Sequence, residues 1–437
     1  MSVLVTTSEV GAVWGRLRRL EVMDLVRGAT FISALLLAWI SLHPFADLGN
    51  QQLTDTTTGN EVTTYLAFGC LAVLALTLAL RDNWQGLSTL LTPAFMLLGG
   101  WIVISVILSQ DPGTSVRRLA LTVCVIAVAA AIMLLPKSQH ELMRWFSLAA
   151  LALLAVCYLG ILLAPNLSIH LVTDAQETQL AGDWRGVFGH KNIAAGVMAM
   201  LVFIGVYVAR SGAWMSGLVI TLLSLVFLLN TAGKSSLALT IAVLVLTSAL
   251  AVVRPFWLRV CLLLTPLLML NMFSVGTVMF DSLAELAKKL PLDASFTGRA
   301  DIWSFAVEAL RLRLATGYGF AAFWGTDLIR NLPEGREWAE YASHSHNGYL
   351  DTALATGLPG LALLVAALVI APLRNFQSAE RGGNGGPLLL LLLQLWLFGL
   401  YLSSMESFFL DRADPLWFTF LLAVFGLHYL ARFQLRD

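Results

Sequence analysis

The sequence predicts an all-α, polytopic membrane protein of about twelve transmembrane helices with one helical loop domain outside the bilayer. Three observations predict it. Hydrophobic residues make up 58% of the 437 residues and charged ones only 12%, about half the ~25% charged share of a soluble domain. Mean hydropathy is +0.78, which is more apolar surface than one soluble core of this size buries. The apolar residues also fall in runs near the ~20 that a helix needs to cross the hydrocarbon core. Basic and acidic residues balance at 27 each, so there is no basic footprint for nucleic acid.

Residues 1–26 carry Arg16, Arg18 and Arg19 and lack a short apolar core followed by a small-residue cleavage site. They are expected to be a cytoplasmic tail rather than a cleaved signal. Spans are predicted at 27–45, 62–80, 88–108, 118–136, 145–165, 192–209, 213–230, 235–253 and 257–280, then at 347–371, 387–405 and 415–433, with a short cytoplasmic end at 434–437. An even number puts both ends on one side. With both ends inside, the inner segments hold most of the short-loop basic residues, among them Arg27, Arg81, Lys137, Arg210, Arg259 and Arg432, whereas the short outer loops hold Arg117, Arg118, Lys234 and Arg412. The positive-inside rule therefore favours that orientation. The cysteines Cys70, Cys124, Cys157 and Cys261 sit singly in apolar runs, which suits small apolar fillers rather than a disulfide framework or a zinc site.

Two outer segments are long: 166–191, within the first block of spans (27–280), and 281–346, large enough for a small loop domain. In the second, "ADIWSFAVEALRLRL" places Trp303, Val307, Leu310 and Leu314 on one helical stripe, and "DSLAELAKKL" does the same with Leu283, Leu286 and Leu290. Such helices would lie on the membrane surface or cap the bundle. "ERGGNGG" (380–386) is a flexible inner loop.

The outer polar residues gather in three places: "AGDWRGVFGHKNIAAG", "FTGRADIW" and "SHSHNGYLDTALATG". The first holds Arg185, His190, Lys191 and Asn192, the second Arg299 and Trp303, the third His344, His346, Asn347 and Asp351. Ionisable groups at the mouth of a span are costly and are functional candidates. Each also has a plainer reading. Arg185 and Lys191 suit interfacial anchors beside Trp184, although the surrounding glycines point to a tight backbone path. Arg299 suits either a solvated loop charge or an anion site near a helix start. The H-x-H pair would serve as a metal half-site, though no carboxylate or cysteine cluster lies near it in sequence. Asn347 and Asp351 suit helix packing. Taken together, the set suits a lipid-linked anion: arginines hold a diphosphate by paired hydrogen bonds, and a neutral histidine takes a proton from an attacking hydroxyl. A transporter with charges around a midplane site is the alternative.

Several of these stretches resemble one family. "HNGYLDTALATG" (346–357) is similar to the H-N-x-x-L-x₆-G signature of the O-antigen ligase and polysaccharide polymerase family, "TGRADIWSFAVEAL" resembles its T-G-R-x-x-x-W segment, and "GYGF" (317–320) resembles its G-x-G-F turn. "RGVFGHKN" (185–192) looks like the form in exopolysaccharide-production polymerases of that family. The resemblance covers about residues 180–370 in order. It implies a metal-independent, inverting glycosyltransferase without a cofactor, in the bacterial inner (cytoplasmic) membrane, with its active site facing the periplasm. The implied partners are a glycan donor and acceptor on undecaprenyl diphosphate, membrane lipid, and polysaccharide export or chain-length proteins. By carry-over His346 is the base, and Arg185 and Arg299 hold the diphosphate. His190, Lys191, Asn192, His344, Asn347 and Trp303 are expected around the substrate. The implied activity is polymerisation of repeat units into exopolysaccharide or O-antigen, with ligation to lipid A–core as the alternative.

Overall fold

The structure, a computed structural model, describes residues 7–49, 58–174, 178–253, 255–289, 299–326, 329 and 342–434. Among these residues every regular element is helical apart from isolated bridges such as Ile169 to Trp184. The long helices are α1 (Thr7–Ile40), α2 (Thr58–Ser88), α3 (Pro93–Ile107), α4 (Pro112–Ile132), α5 (Gln139–Leu163), α6 (Lys191–Arg210), α7 (Trp214–Asn230), α8 (Lys234–Val252) and α9 (Phe256–Phe273). Shorter α10 (Gly276–Met279), α11 (Asp281–Lys288) and α12 (Arg299–Leu312) follow. Then come α13 (Gly348–Val365), which runs through a π turn into α14 (Ala371–Arg381), and finally α15 (Pro387–Leu402) and α16 (Pro415–Leu430).

Each predicted span overlaps an apolar helix, although 257–280 takes in both α9 and the short α10, and 347–371 runs from α13 into the π turn. Among the described residues seven helices are long and apolar enough to cross a membrane, and five more are apolar but shorter. Their starts follow from local chemistry. Thr92, Asp111 and Asp414 each cap a helix with a side-chain oxygen, and each is followed by proline at the first helical position, where the missing N–H costs nothing. Helices α6, α15 and α16 form the centre, with most residues of α6 and nearly all of α15 and α16 buried. Outer helices leave Leu66, Val73, Leu97, Ile107, Val226 and Leu268 exposed, the apolar periphery that lipid requires. Glycines set the closest contact. A Cβ on Gly217 would lie 2.3 Å from the Ala209 nitrogen, so α6 and α7 pack backbone to backbone.

Charges sort to the two ends of the bundle. At one end Arg27 pairs with Asp24 and Asp82, Lys137 pairs with Asp24, and Arg259 pairs with Glu380. The polar segments 164–174, 178–190, 342–347 and 403–414 lie at the other end, as shown by the path of α13 and α14 from Gly348 to the Arg259–Glu380 pair.

Helix α12 packs on α13, so it takes the capping arrangement of the two expected. Trp303, Val307, Tyr318, Phe323, Trp324, Leu350 and Leu354 share one small core. The predicted stripe is shorter than expected. The helix ends at Leu312, so Leu314 lies outside it and is 47% exposed, and Leu286 of α11 is 45% exposed. Leu290, Thr297 and Gly298, with most of 327–341, lie outside the described residues.

The glycines of the two sequence motifs meet. Gly357 has φ +71°, which interrupts α13, and Gly317 has φ +65°. A Cβ on Gly357 would lie 2.5 Å from the Ala315 oxygen, and one on Gly317 would lie 2.5 Å from the Leu354 oxygen. Only glycine fits both the angle and the approach. The carbonyls freed by the break are all taken: Leu354 by Tyr318 N–H, Ala355 by Gly319 N–H and Ser105 Oγ, and Thr356 by Trp101 Nε1. Buried carbonyls in an apolar surrounding need such partners. The "GYGF" turn is thereby clamped to α13 just below its start.

Candidate functional site

The loop Ser343–Asn347 is held from every side before α13 begins. Asn347 is 1% exposed and caps the helix, its Oδ1 accepting from the N–H groups of Tyr349 at 3.1 Å and Leu350 at 3.0 Å. Its Nδ2 donates to Asn271 Oδ1 and to the Ser404 carbonyl, both at 3.1 Å. Trp303, fully buried, donates from Nε1 to the Ser345 carbonyl at 2.8 Å. Asp351, one turn into α13, accepts from Ser345 N–H at 3.0 Å and from Trp324 Nε1 at 2.7 Å. Asn347 and Trp303 thus lie beneath the loop and set its path.

His346 sits at the crest with φ +54°, in the left-handed region that a non-glycine residue occupies at a cost of about 1–3 kcal/mol. Its Nδ1 is 3.2 Å from Glu406 Oε2. Glu406 Oε1 accepts from Arg299 Nη2 and from Asn192 Nδ2, both at 2.9 Å. One carboxylate therefore joins the starts of α6, α12 and α13, whose N-terminal ends carry partial positive charge. Burial alone would raise the Glu406 carboxyl, but the His346 hydrogen bond and the Arg299 charge outweigh it and hold the group at about 2. An ionised carboxylate only accepts. The ring nitrogen facing it must therefore be Nδ1–H, which leaves Nε2 of a neutral His346 as the proton acceptor.

His344 stands edge-on to His346, ring centres 4.2 Å apart. Its Nδ1 accepts the His346 backbone N–H at 3.2 Å, which fixes its own proton on Nε2. Burial, then repulsion from His346 whenever that ring is protonated, pushes the His344 pKa down to about 4, so it is neutral at pH 7.

The residues around 185–192 divide. Asn192 joins the Glu406 cluster. His190 caps α6, its Nδ1 accepting from Asn192 N–H at 3.1 Å. Lys191 pairs with Asp183 at 2.6 Å. Beneath them His170, 2% exposed, bonds Asp174 at 2.9 Å and the Lys191 N–H at 3.3 Å. Arg185 stands apart from Glu406. It is 1% exposed, and its guanidinium donates to the carbonyls of Ala46 at 2.7 Å and Phe188 at 3.2 Å, tying this loop to the chain that follows α1.

Sequence reasoning brings out His346, Arg299 and Asn192, which the structure joins, and passes over Glu406, which joins them. The signal for Glu406 was present: it is an ionisable residue directly after the predicted span 387–405, the criterion that singled out His346. Among the described residues no three His, Cys, Asp or Glu side chains are grouped as metal ligands would be. The arrangement offers an imidazole with an orienting carboxylate, beside a guanidinium, at one mouth of the helix bundle. That is the equipment for drawing a proton from a hydroxyl next to an anionic group.

Residues 197–365 match the model of a family described as O-Antigen ligase. A curated relative, the exopolysaccharide production protein ExoQ of Rhizobium meliloti (strain 1021), is 31% identical over 99 residues, which cover 20% of this chain and 22% of that protein. The resemblance drawn from the motifs therefore holds. The family match contains Arg299, Trp303, His344, His346, Asn347 and Gly357, and leaves Arg185, His190, Lys191, Asn192 and Glu406 outside its limits.

Proposed function

We propose that this membrane protein is a glycosyltransferase that moves a glycan from a lipid diphosphate to an acceptor hydroxyl, and that it polymerises undecaprenyl-diphosphate-linked repeat units on the periplasmic face of the inner membrane. The observation that carries the reading is the His346 Nδ1 to Glu406 contact of 3.2 Å with Arg299 on the same carboxylate. His346 Nε2 takes the proton of the acceptor hydroxyl. The hydroxyl oxygen forms the new bond to the anomeric carbon while the bond from that carbon to the diphosphate oxygen breaks, and the diphosphate leaves with the electron pair. Attack from the face opposite the leaving group inverts the anomeric centre. Charge grows on the departing diphosphate, and Arg299, with the N-terminal ends of α6, α12 and α13, is the positive counterpart. No metal enters this scheme, so EDTA leaves turnover of the purified protein unchanged; loss on chelation with rescue by a divalent ion would overturn the scheme.

Polymerisation is favoured over ligation by the likeness to an exopolysaccharide production protein. Ligation to lipid A–core is the second reading, favoured by the description of the matching family. The lipid-linked species that accumulates when the gene is deleted separates them. Single repeat units mark a polymerase, long lipid-linked chains mark a ligase, and units held on the cytoplasmic face mark a transporter and sink both.

A further inference from the structure

A cavity of about 320 Å³ opens on the other side of the His344 ring, at the lower end of the range for ligand pockets. Five separate segments line it: the start of α4, the turn at 320–325, the His344 loop, α13 and the connection at 407–412. Phe323, Trp324 and Phe409 supply aromatic walls, and His344, Asp351 and Arg412 supply polar groups. The formal charges balance, with Arg118 and Arg412 against Asp351 and Asp411.

The walls are fixed in place. The Phe320 carbonyl accepts from Ser115 Oγ at 2.7 Å, the Ala321 carbonyl accepts from Arg118, and Asp351 holds both Trp324 and the Ser345 N–H. Phe323 and Trp324 stand edge to face at 4.9 Å. His344 links the cavity to the proposed base, its ring 4.2 Å from that of His346. Because its proton is fixed on Nε2, His344 is a neutral donor rather than a cation.

From this geometry we infer that the cavity is a subsite for one uncharged pyranose ring of the glycan, placed against His344 beside the proposed base. A pyranose has a C–H face that matches an aromatic wall and an edge of hydroxyls that both donate and accept. A pocket that is aromatic on its walls and mixed in polarity, with no net charge, fits such a ring better than it fits a phosphate or a lipid tail. The diphosphate is left to Arg299, on the Glu406 side of the same loop. The inference rests on the proposed transferase activity for its meaning, but the binding it predicts does not depend on turnover.

The test uses the full-length protein in lipid nanodiscs and, as probe, the repeat-unit oligosaccharide released from its lipid by mild acid, which carries no diphosphate. Binding is read by saturation-transfer NMR. Ser343 is exposed at the rim, so Ser343→Trp blocks the mouth with little effect on folding, and Phe409→Leu removes one wall. Both are expected to weaken binding at least fivefold while thermal stability of Ser343→Trp stays at the wild-type value. Equal binding by wild type and Ser343→Trp overturns the inference, as does no binding by wild type. In two-substrate kinetics a rise in KM for the lipid-linked donor places the donor sugar in the cavity, a rise for the acceptor places the acceptor sugar there, and no rise in either overturns the subsite. Specific binding by a protein that forms no glycosidic bond keeps the subsite and sinks the proposed activity.

Discussion

Glu406 Oε2 lies 3.2 Å from His346 Nδ1, across 60 residues of chain. The contact determines which nitrogen of His346 carries its proton, and through Oε1 the same carboxylate holds Arg299 and Asn192. Glu406→Gln tests its importance. Glutamine keeps the shape and an acceptor oxygen but loses the charge that favours the imidazolium formed as the hydroxyl gives up its proton. Turnover should fall on the order of 10²-fold or more, the scale of general-base assistance, with a smaller change in KM. Turnover within about twofold of wild type would remove Glu406 from the chemistry.

Glu406 also marks what the sequence made legible and what it did not. The apolar helices were legible because an apolar run of helical length has few alternatives, and each predicted span overlaps at least one of them. His346, Asn347 and Arg299 were legible through motif spacing and through their places at span mouths. The role of the joining carboxylate was not: Glu406 stands at a span mouth as His346 does, but it is 107 residues from Arg299 and 214 from Asn192, and nothing local in "SSMESFF" says which groups it joins. Arg185 shows the reverse. A cation among glycines resembles an anion site, yet the same tight backbone path turns its guanidinium onto two carbonyls.

His346 and Asn347 are neighbours with separable roles. His346→Ala should abolish transfer while the protein inserts and accumulates, since the ring is partly exposed and bonds only at the site surface. Asn347→Ala should cost stability as well: about 1 kcal/mol for the lost cap, with a further ~1–3 kcal/mol for the buried groups of Asn271 and Ser404 left unpaired. Thermal unfolding in detergent and transfer assays on the two variants measure this. Equal stability of both would show that the cap does not hold the loop.

His344 gives a pH signature. Its folded pKa is pushed down from 6.5 to about 4 by burial and by His346. A depressed histidine resists protonation only when folded, so below pH 6.5 the unfolded chain takes up a proton that the folded one refuses. Stability therefore falls as pH drops from about 6.5 to 4 and levels off below that. His344→Gln, neutral throughout, should flatten that part of the curve. Melting temperatures of both proteins across pH 4–7 decide it, and parallel curves would contradict the assignment.

Gly357 has a backbone that only glycine adopts readily, φ +71° and ψ 178°. Gly357→Ala adds a Cβ 2.5 Å from the Ala315 oxygen, and should destabilise by about 3 kcal/mol or more and reduce accumulation. Gly99→Ala in α3 is the control. Nothing lies within 4 Å of its Cβ, and alanine there should be neutral or stabilising by up to about 1 kcal/mol. Tolerance at Gly357 would mean that the break in α13 is not needed to dock the 317–320 turn.

The two arginines should part company when each is changed to lysine. Lysine keeps the charge and loses the planar fork. At position 299 the fork spans the Met405 carbonyl and Glu406 beside the proposed diphosphate, so Arg299→Lys should lower turnover about tenfold or more while stability stays near wild type. At position 185 the fork is buried on two carbonyls. Arg185→Lys should instead lower the unfolding temperature, at roughly 1–3 kcal/mol for a buried carbonyl left without its donor, and activity should fall with the folded fraction. Measuring both quantities on both variants separates the roles. If Arg185→Lys kept its melting temperature and lost turnover alone, Arg185 would act on the substrate, and the loop that buries it here would have to open during the reaction.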